Sequence, residues 1–361
     1  MQACALPEKF QRRGDGKSPI VNPMRVLIVG CGYVGLPLGK ELARLGHEVS
    51  GLRRSALAEA EMKAAGITPL HADITQPETL ARLPRRFDWV VNCSASGGGG
   101  AEDYRKIYLE GNRNLLAWLA DAPPQKFIYT SSTSVYAQND GSIVTENSPA
   151  EPDAETAKVL VETEKLLLAA TRSNSRCASG PLIPSFSPVG GEGGRRPVEG
   201  AAFLEMATPQ DRQLPEFPAV ILRVAGIYGP GRGHLFKQFL RGDAQIEGDG
   251  SRTLNMIHRA DLTGIIIAAL ERGAPGEIYN AADNEPVSQL KFFEWLAAEL
   301  KRPLPPEISA DAEIIRKRGA TNKRVSNAKL RNELNYTFQF PDFRAGYAAE
   351  LRRLAAEDFP V

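Results

Sequence analysis

Residues 25–30 read Arg-Val-Leu-Ile-Val-Gly, and Cys31-Gly32-Tyr33-Val34-Gly35 follow without a break. A near-continuous apolar run of this length predicts a strand buried on both faces, as in a parallel sheet. Beyond it, Val34, Leu38, Leu42 and Leu45 recur on one helical face. A G-x-G-x-x-G that leaves a strand and opens a helix leaves the chain little choice of fold. The first glycine permits the tight turn, the second lets the backbone approach a pyrophosphate, and the third lets the helix pack close to the sheet. The helix N-terminus then turns its free amides and its dipole towards the phosphates. Gly30, Gly32, Tyr33, Val34 and Gly35 are therefore candidate dinucleotide contacts. The competing reading is a purely structural glycine turn.

The pattern continues along the chain. Strand-like runs at 47–52, 67–72, 87–93, 126–131 and 219–224 alternate with amphipathic stretches at 55–65, 77–82, 102–120 and 154–170. Strands alternating with helices predict βαβ units and right-handed crossovers. The expected fold is α/β, a doubly wound parallel sheet of the Rossmann type with a smaller C-terminal substrate lobe. Further helices are expected near 233–241, 260–271 and 288–300, strands at 252–257 and 277–281, and two short closing elements near 326–334 and 343–355. On this reading residues 1–23 are a disordered extension and 24–280 the nucleotide-binding domain, with 225–258 and 281–361 forming the lobe. Residues 172–218 hold many Gly, Pro and Ser without apolar periodicity and read as a disordered insertion. The insertion joins a helix end to a strand start, which puts it at the sheet edge away from the ligand loops.

The tip of the second strand reads Leu52-Arg53-Arg54-Ser55. An NAD-binding chain usually offers an acid there for the ribose 2′-hydroxyl. Two guanidiniums instead match a 2′-phosphate by charge and by fork geometry. Arg53 and Arg54 thus favour NADP(H), with NAD(H) the alternative if they merely start a solvated helix. Asp73 and Ile74 are placed to meet the adenine, unless Asp73 or Thr75 caps a helix. Ser94 opens the loop after the fourth strand, and Gly97–Gly100 read as a pliable cover for the nicotinamide or a plain connector.

Several segments then carry a more specific likeness. The glycine loop, HADIT (71–75), VVNCSAS (90–96), YTSSTSVYA (129–137), ILRVAGIYGPGR (221–232), NMIHRADL (255–262) and GEIYNAAD (276–283) stand in that order. Together they resemble the extended short-chain dehydrogenase/reductase superfamily, of the NAD-dependent epimerase/dehydratase type. KRVSNAKLRNEL (323–334) is similar to the tail of its atypical subgroups. The resemblance covers the chain from Met24 except 172–218. It implies a catalytic Ser in the SSxxVY loop, with a Tyr and a Lys four residues apart on the next helix. The Tyr would move the proton that accompanies hydride, and the Lys would lower its pKa and bind the ribose.

Ser132 matches the serine, but no Tyr occurs between Tyr136 and Tyr228. If Lys158 is the family lysine, the tyrosine position holds Ala154; aligned by Glu164 and Leu167, the two positions hold Thr156 and Leu160. Tyr136, four residues beyond Ser132, is a substitute proton donor, although the resemblance gives it a structural packing role near the site. Lys158 remains a candidate ribose contact or else a solvated surface lysine. Tyr104, Tyr108 and Tyr228 are further candidate donors and His258 a weaker one; Tyr228, Arg232, Asn255 and His258 are the candidate substrate contacts. The resemblance implies an NADP(H)-binding oxidoreductase or epimerase-like enzyme on a small carbonyl, alcohol or nucleotide sugar. Without the tyrosine, the alternative is a non-catalytic redox sensor or interaction protein. GYVGLPL (32–38) also resembles the opening of UDP-sugar 6-dehydrogenases, but Cys177 lacks the framework their thiol needs.

Composition excludes other classes. With 44 Lys+Arg against 43 Asp+Glu, no bulk charge draws nucleic acid or an anionic membrane. The stretch 262–270 is about half of the ~20 residues a membrane span needs. Four scattered cysteines form no metal-site spacing. The expectation is a cytoplasmic protein with a small-molecule substrate and no metal, with a homodimer left open.

Overall fold

The computed structural model describes residues 22–172, 217–309 and 321–356. Its centre is a sheet of β1 Arg25–Val29, β2 Glu48–Arg53, β3 Ile67–His71, β4 Trp89–Asn92, β5 Lys126–Ser132, β6 Ala219–Val224 and β7 Ile278–Ala281. These seven strands lie in the order β7-β6-β5-β4-β1-β2-β3, and every pairing is parallel. The order reverses between β1 and β4, the switch point at which a doubly wound sheet opens a crevice beyond its carboxyl ends. Val26, Leu27 and Ile28 are buried, as their unbroken apolar character requires, and all of β6 is buried too, including its one charged residue, Arg223.

The principal flanking helices are α1 Gly35–Arg44, α2 Gly111–Leu119, α3 Glu155–Arg172, α4 His234–Arg241, α5 Arg259–Arg272, α6 Gln289–Leu300 and α7 Phe343–Ala356. The helix expected over 102–120 contains a surprise. Between Ala101–Tyr104 and α2 lies a π-helical stretch, Arg105–Glu110. Its wider turn is closed by the buried Asn112, which donates to the Tyr108 carbonyl at 2.6 Å and accepts from Asn92 at 3.0 Å. Apolar spacing carries no mark of such a polar lock.

The strand expected over 252–257 is two. Thr253–Leu254 pairs antiparallel with Val287–Ser288, and Met256–His258 pairs parallel with Gly226–Tyr228. Ile143–Val144 pairs parallel with Arg324–Val325, bringing the C-terminal part of the chain beside β5's following loop. A second apolar cluster, built on Phe236, Phe239, Phe292, Phe293, Phe343 and Tyr347, packs the helices beyond the sheet.

The expected insertion needs trimming. Residues 173–216 lie outside the described residues, but Arg172 ends α3 and Phe217 is a core side chain, 1% exposed, with its ring 4.8 Å from that of Phe127. Phe217 N–H donates to the Ala170 carbonyl at 3.3 Å, so the two ends of the segment meet. Residues 1–21 of the expected extension, and Cys177, also lie outside the described residues.

Candidate active site

A cleft of about 1010 Å³ runs along the carboxyl ends of β1, β2, β4, β5 and β6. Gly30, Gly32, Tyr33 and Val34 form one wall. Gly30 has φ +83°, and a Cβ there would lie 2.6 Å from Ser94 Cα. A Cβ on Gly35 would lie 2.6 Å from the Gly30 carbonyl, which is why Gly35 sits behind the wall and not in it. Gly32 alone of the three has room, its nearest neighbour 4.0 Å away. α1 starts with no side-chain cap and no acid in its first turn, which leaves its positive dipole end open to an anion, although the Leu36 N–H is already bonded to the Gly32 carbonyl at 2.9 Å. Turn, open glycine and uncapped helix fit a dinucleotide pyrophosphate. Burial lifts the Cys31 and Cys93 thiols to about 11 and about 12, so neither is an activated nucleophile.

Arg53, Arg54, Ser55, Asp73 and Ile74 line the end of the cleft beyond β2 and β3. Arg54 reaches Asp73 only at 4.0 Å. Asp73 Oδ1 accepts from the Thr75 N–H at 2.9 Å and the Thr75 hydroxyl at 2.8 Å, closing a turn. Neither residue is a helix cap, since Gln76 holds that place. A smaller cavity of about 400 Å³ shares Arg54 and Asp73 and adds His71 and Arg82. Ser94 also lines the cleft, its hydroxyl donating to Asn92 at 2.7 Å, whereas Gly97–Gly100 do not line it.

Ser132, at the end of β5, faces the cleft, and its Oγ accepts from the Ser134 N–H at 3.2 Å. Tyr136 does not face it. The ring is fully buried, its hydroxyl donating to Asn280 Oδ1 at 2.8 Å and accepting from Arg223 at 2.9 Å. Arg223 in turn pairs with Glu164 at 2.7 Å, both side chains buried, and Glu164 accepts from the Ser131 hydroxyl at 2.6 Å. Tyr136 is thus a strut between β6 and β7, held in place by a charge network it cannot leave.

That network sets the register of α3. With Glu164 turned inward to Arg223, Leu160 falls in the cleft wall and Thr156 is buried one turn earlier. Ala154 precedes the helix, its carbonyl accepting from the Ala157 and Lys158 amides. Lys158 points to solvent and pairs with Glu155 at 2.7 Å, away from the cleft, so the structure does not support it as a ribose contact. In the register set by Glu164, the positions four residues apart on α3 are Thr156 and Leu160, which offer neither a phenol nor an amine.

The far wall is basic. Arg232, Lys237, Arg252 and Lys323 line it with His234, while Asp73 at the other end is the one carboxylate among the described lining residues. Arg232 and Arg259 both stack over the Tyr33 ring, at 5.0 and 4.6 Å. Other expected contacts are structural. Tyr228 stacks on Tyr347 at 4.4 Å and sends its hydroxyl to the Asp342 carbonyl. His258 does not line the cleft; its Nδ1 accepts from the Ala260 N–H as the N-cap of α5. Asn255 borders the cleft, but its amide grips backbone on both sides of Arg324, donating to Lys323 O at 2.9 Å and accepting from Val325 N–H at 2.8 Å.

That grip fixes Lys323, which sequence reasoning quoted only within a tail motif. Lys323 is 3% exposed, and its ammonium donates to the Tyr136 carbonyl and the Thr321 hydroxyl, both at 2.8 Å. Burial lowers its pKa to about 8. Periodicity could not have found it, because its bond to Tyr136 spans 187 positions. Lys237, Arg252 and Leu160 were likewise missed as cleft residues.

Comparison with known proteins agrees with this architecture. Residues 26–182 match the NAD dependent epimerase/dehydratase family. Protein YeeZ of Escherichia coli strain K12 is 25% identical over 324 residues, covering 88% of this chain and 97% of YeeZ. The 2-alkyl-3-oxoalkanoate reductase of Shewanella oneidensis is 24% identical over 82% of this chain and 72% of its own. The dTDP-glucose 4,6-dehydratase DesIV of Streptomyces venezuelae, solved with NAD bound, superposes with a TM-score of 0.70 at 20% identity, over 92% of this chain and 97% of its own. In sequence and in fold the chain resembles the extended, atypical short-chain dehydrogenase/reductases of the NAD-dependent epimerase/dehydratase type, and it lacks their catalytic tyrosine.

Proposed function

We propose that this protein is an NADP(H)-dependent oxidoreductase, or an epimerase-like enzyme using the same chemistry, acting on an alcohol or carbonyl borne by an anionic small molecule. The observation that carries this reading is one continuous cleft that joins the glycine loop, Ser132 and a basic wall. A nicotinamide dinucleotide, when bound, supplies or accepts hydride. The chain's own residues do the rest. Gly30 and Gly32 with the α1 amides hold the pyrophosphate, and Arg53 and Arg54 select the 2′-phosphate. Ser132 orients the substrate oxygen, while Arg232, Lys237 and Arg252 draw the anionic group to the opposite wall. A nucleotide sugar fits the length and charge of that wall, and a 3-oxo acid is the shorter alternative.

Calorimetric titration with NADPH and NADH comes first, followed by turnover on dTDP-glucose, UDP-glucose and a medium-chain 3-oxo acid read by mass spectrometry. Tight NADPH binding with conversion of at least one of these is the expected result. Binding without conversion of any would favour a dinucleotide sensor, the reading that Thr156 and Leu160 keep in play. Absence of dinucleotide binding would overturn both.

A further inference from the structure

Hydride transfer to or from a carbonyl carbon must be matched by a proton at oxygen, and on α3 the buried Thr156 and the cleft-lining Leu160 supply neither a phenol nor an amine for it. Few groups in the cleft could take over. The Tyr228 hydroxyl is committed to the Asp342 carbonyl. Tyr108 lines the cleft with its oxygen accepting from the Ser96 N–H, which leaves its proton to give, and the Lys323 variants below decide between it and the lysine. Burial pushes the Tyr228 and Tyr347 phenols far above their usual range, and the Cys93 thiol up to about 12. His234 and Lys237 are exposed, out where water competes. Lys323 differs on each count. It is buried, it borders the cleft, and its ammonium is bonded to the carbonyl of Tyr136, in the loop that Ser132 begins.

We propose that Lys323 is the proton donor and acceptor of this enzyme, in place of the missing phenol. This rests on the oxidoreductase reading above. In reduction, the carbonyl π bond breaks as hydride from the reduced cofactor reaches carbon, and the Lys323 ammonium gives one N–H proton to oxygen. The products are the alcohol, the oxidised cofactor and a neutral amine, which regains its proton from water. Oxidation runs the same steps in reverse, with the amine taking the hydroxyl proton.

The surroundings suit the task. Two N–H groups stay bound to the Tyr136 carbonyl and the Thr321 hydroxyl, which aim the amine, and Asn255 pins the backbone beside it. No carboxylate among the described residues offsets its charge. On the neighbouring elements, Glu164 is paired with Arg223, and Glu146 accepts from the Asn280 N–H. Arg252 is paired with Glu247, Arg324 bonds the Gly141 carbonyl, and the Tyr136 phenol lies between Arg223 and Asn280. Burial alone therefore sets the lysine, at about 8, where it can both give and take a proton at working pH.

Lys323→Met and Lys323→Arg, compared with wild type, separate the roles. Both variants should bind NADPH as tightly as wild type and lose about 10²–10⁴-fold in kcat. Arginine keeps the charge and the donors but cannot release its proton, so failure of Lys323→Arg to restore turnover marks proton transfer. Restoration by arginine would reveal a mere anion anchor and overturn the proposal. Wild-type reduction should fall, and oxidation rise, as pH passes about 8, and both limbs should vanish in the variants.

A readout without turnover is the pH dependence of Lys323 acylation by acetic anhydride, followed by peptide mass spectrometry. Half-reaction near pH 8 is expected; titration near the ordinary value of 10.5 would overturn the proposal. Thr321→Val, which removes one acceptor and disturbs packing less, should move that midpoint down, and an unmoved midpoint counts against the assignment. If wild type converts substrate and Lys323→Met does so equally well, the proposal fails alone. If wild type converts nothing, the oxidoreductase reading fails first and takes this one with it.

Discussion

Arg54 shares its guanidinium between the cleft and Asp73, whereas no carboxylate within ion-pair distance of Arg53 is seen among the described residues. Arg53 is thus the freer of the two to meet a 2′-phosphate. Charge-assisted bonds of this kind are worth ~1.5–3 kcal/mol each before screening. Arg53→Ala should therefore cost more NADPH selectivity than Arg54→Ala, and the double variant should bind NADPH and NADH alike in calorimetry. An NADPH preference that survives the double change would remove the arginines from the argument. Tyr136→Phe tests the opposite kind of residue. It strips a hydroxyl that both donates and accepts in a buried network, leaving Arg223 and Asn280 short, for a loss of about 1–3 kcal/mol. A lower Tm with unchanged NADPH affinity and an unchanged pH profile is expected, whereas a catalytic phenol would show the reverse. Lys323 also has a stability signature. Its folded pKa lies below the unfolded one, so the cost of burying its charge is fully present below about 8 and is relieved as pH rises towards 10.5. Lys323→Met should accordingly gain stability over wild type at pH 7 and lose that advantage by pH 10, as denaturant melts at the two pH values would show.

At the scale of elements, α3 is where a single buried pair decides the layout of the site. Glu164 and Arg223 tie the helix to β6, and removing one partner strands the other's charge in the core. Arg223→Met should destabilise by about 3–5 kcal/mol, read as a fall in Tm and loss of NADPH binding. A change under ~1 kcal/mol would show that the pair does not set the register. The same pair explains what the sequence could and could not show. An apolar run such as Val26–Val29 announces a strand because burial on both faces favours apolar residues throughout, and Ala219–Val224 reads the same way despite Arg223, whose charge is met by Glu164. The glycine loop is legible because each glycine answers a separate steric demand. α3 was legible as a helix but not in register, since Lys158 and Leu160 each satisfy a four-residue spacing from some earlier residue. Only the partner of Glu164, 59 positions on, settles which side faces the cleft. The π-helical turn and Lys323 were beyond reach for the same reason, each being fixed by a polar contact with a distant segment.

At the scale of the whole molecule, α3 ends at Arg172 and the described chain resumes at Phe217, whose N–H donates to the Ala170 carbonyl of that helix. Replacing residues 174–215 with a short Gly/Ser bridge should leave NADPH affinity unchanged and Tm within a few degrees. Phe217→Ala, by contrast, should cost about 3–5 kcal/mol, because its ring is packed against Phe127. Loss of NADPH binding on that deletion would show that the segment contributes to the cleft. The cleft also has a kinetic consequence. The protein as a whole is almost neutral, at +1, yet the described lining of its cleft sets Arg53, Arg54, Arg232, Lys237, Arg252 and Lys323 against the single carboxylate of Asp73. Such an arrangement exerts no pull at long range and a strong one near the mouth, since at 0.1 M salt the field dies away within ~10 Å. Anionic ligands should therefore meet the protein at the ordinary diffusive rate and be captured only in the last stretch. Raising the salt from 50 to 500 mM should slow stopped-flow association of NADPH while leaving its dissociation comparatively unaffected, so that the cell's ionic strength, through the encounter, governs how fast the site fills.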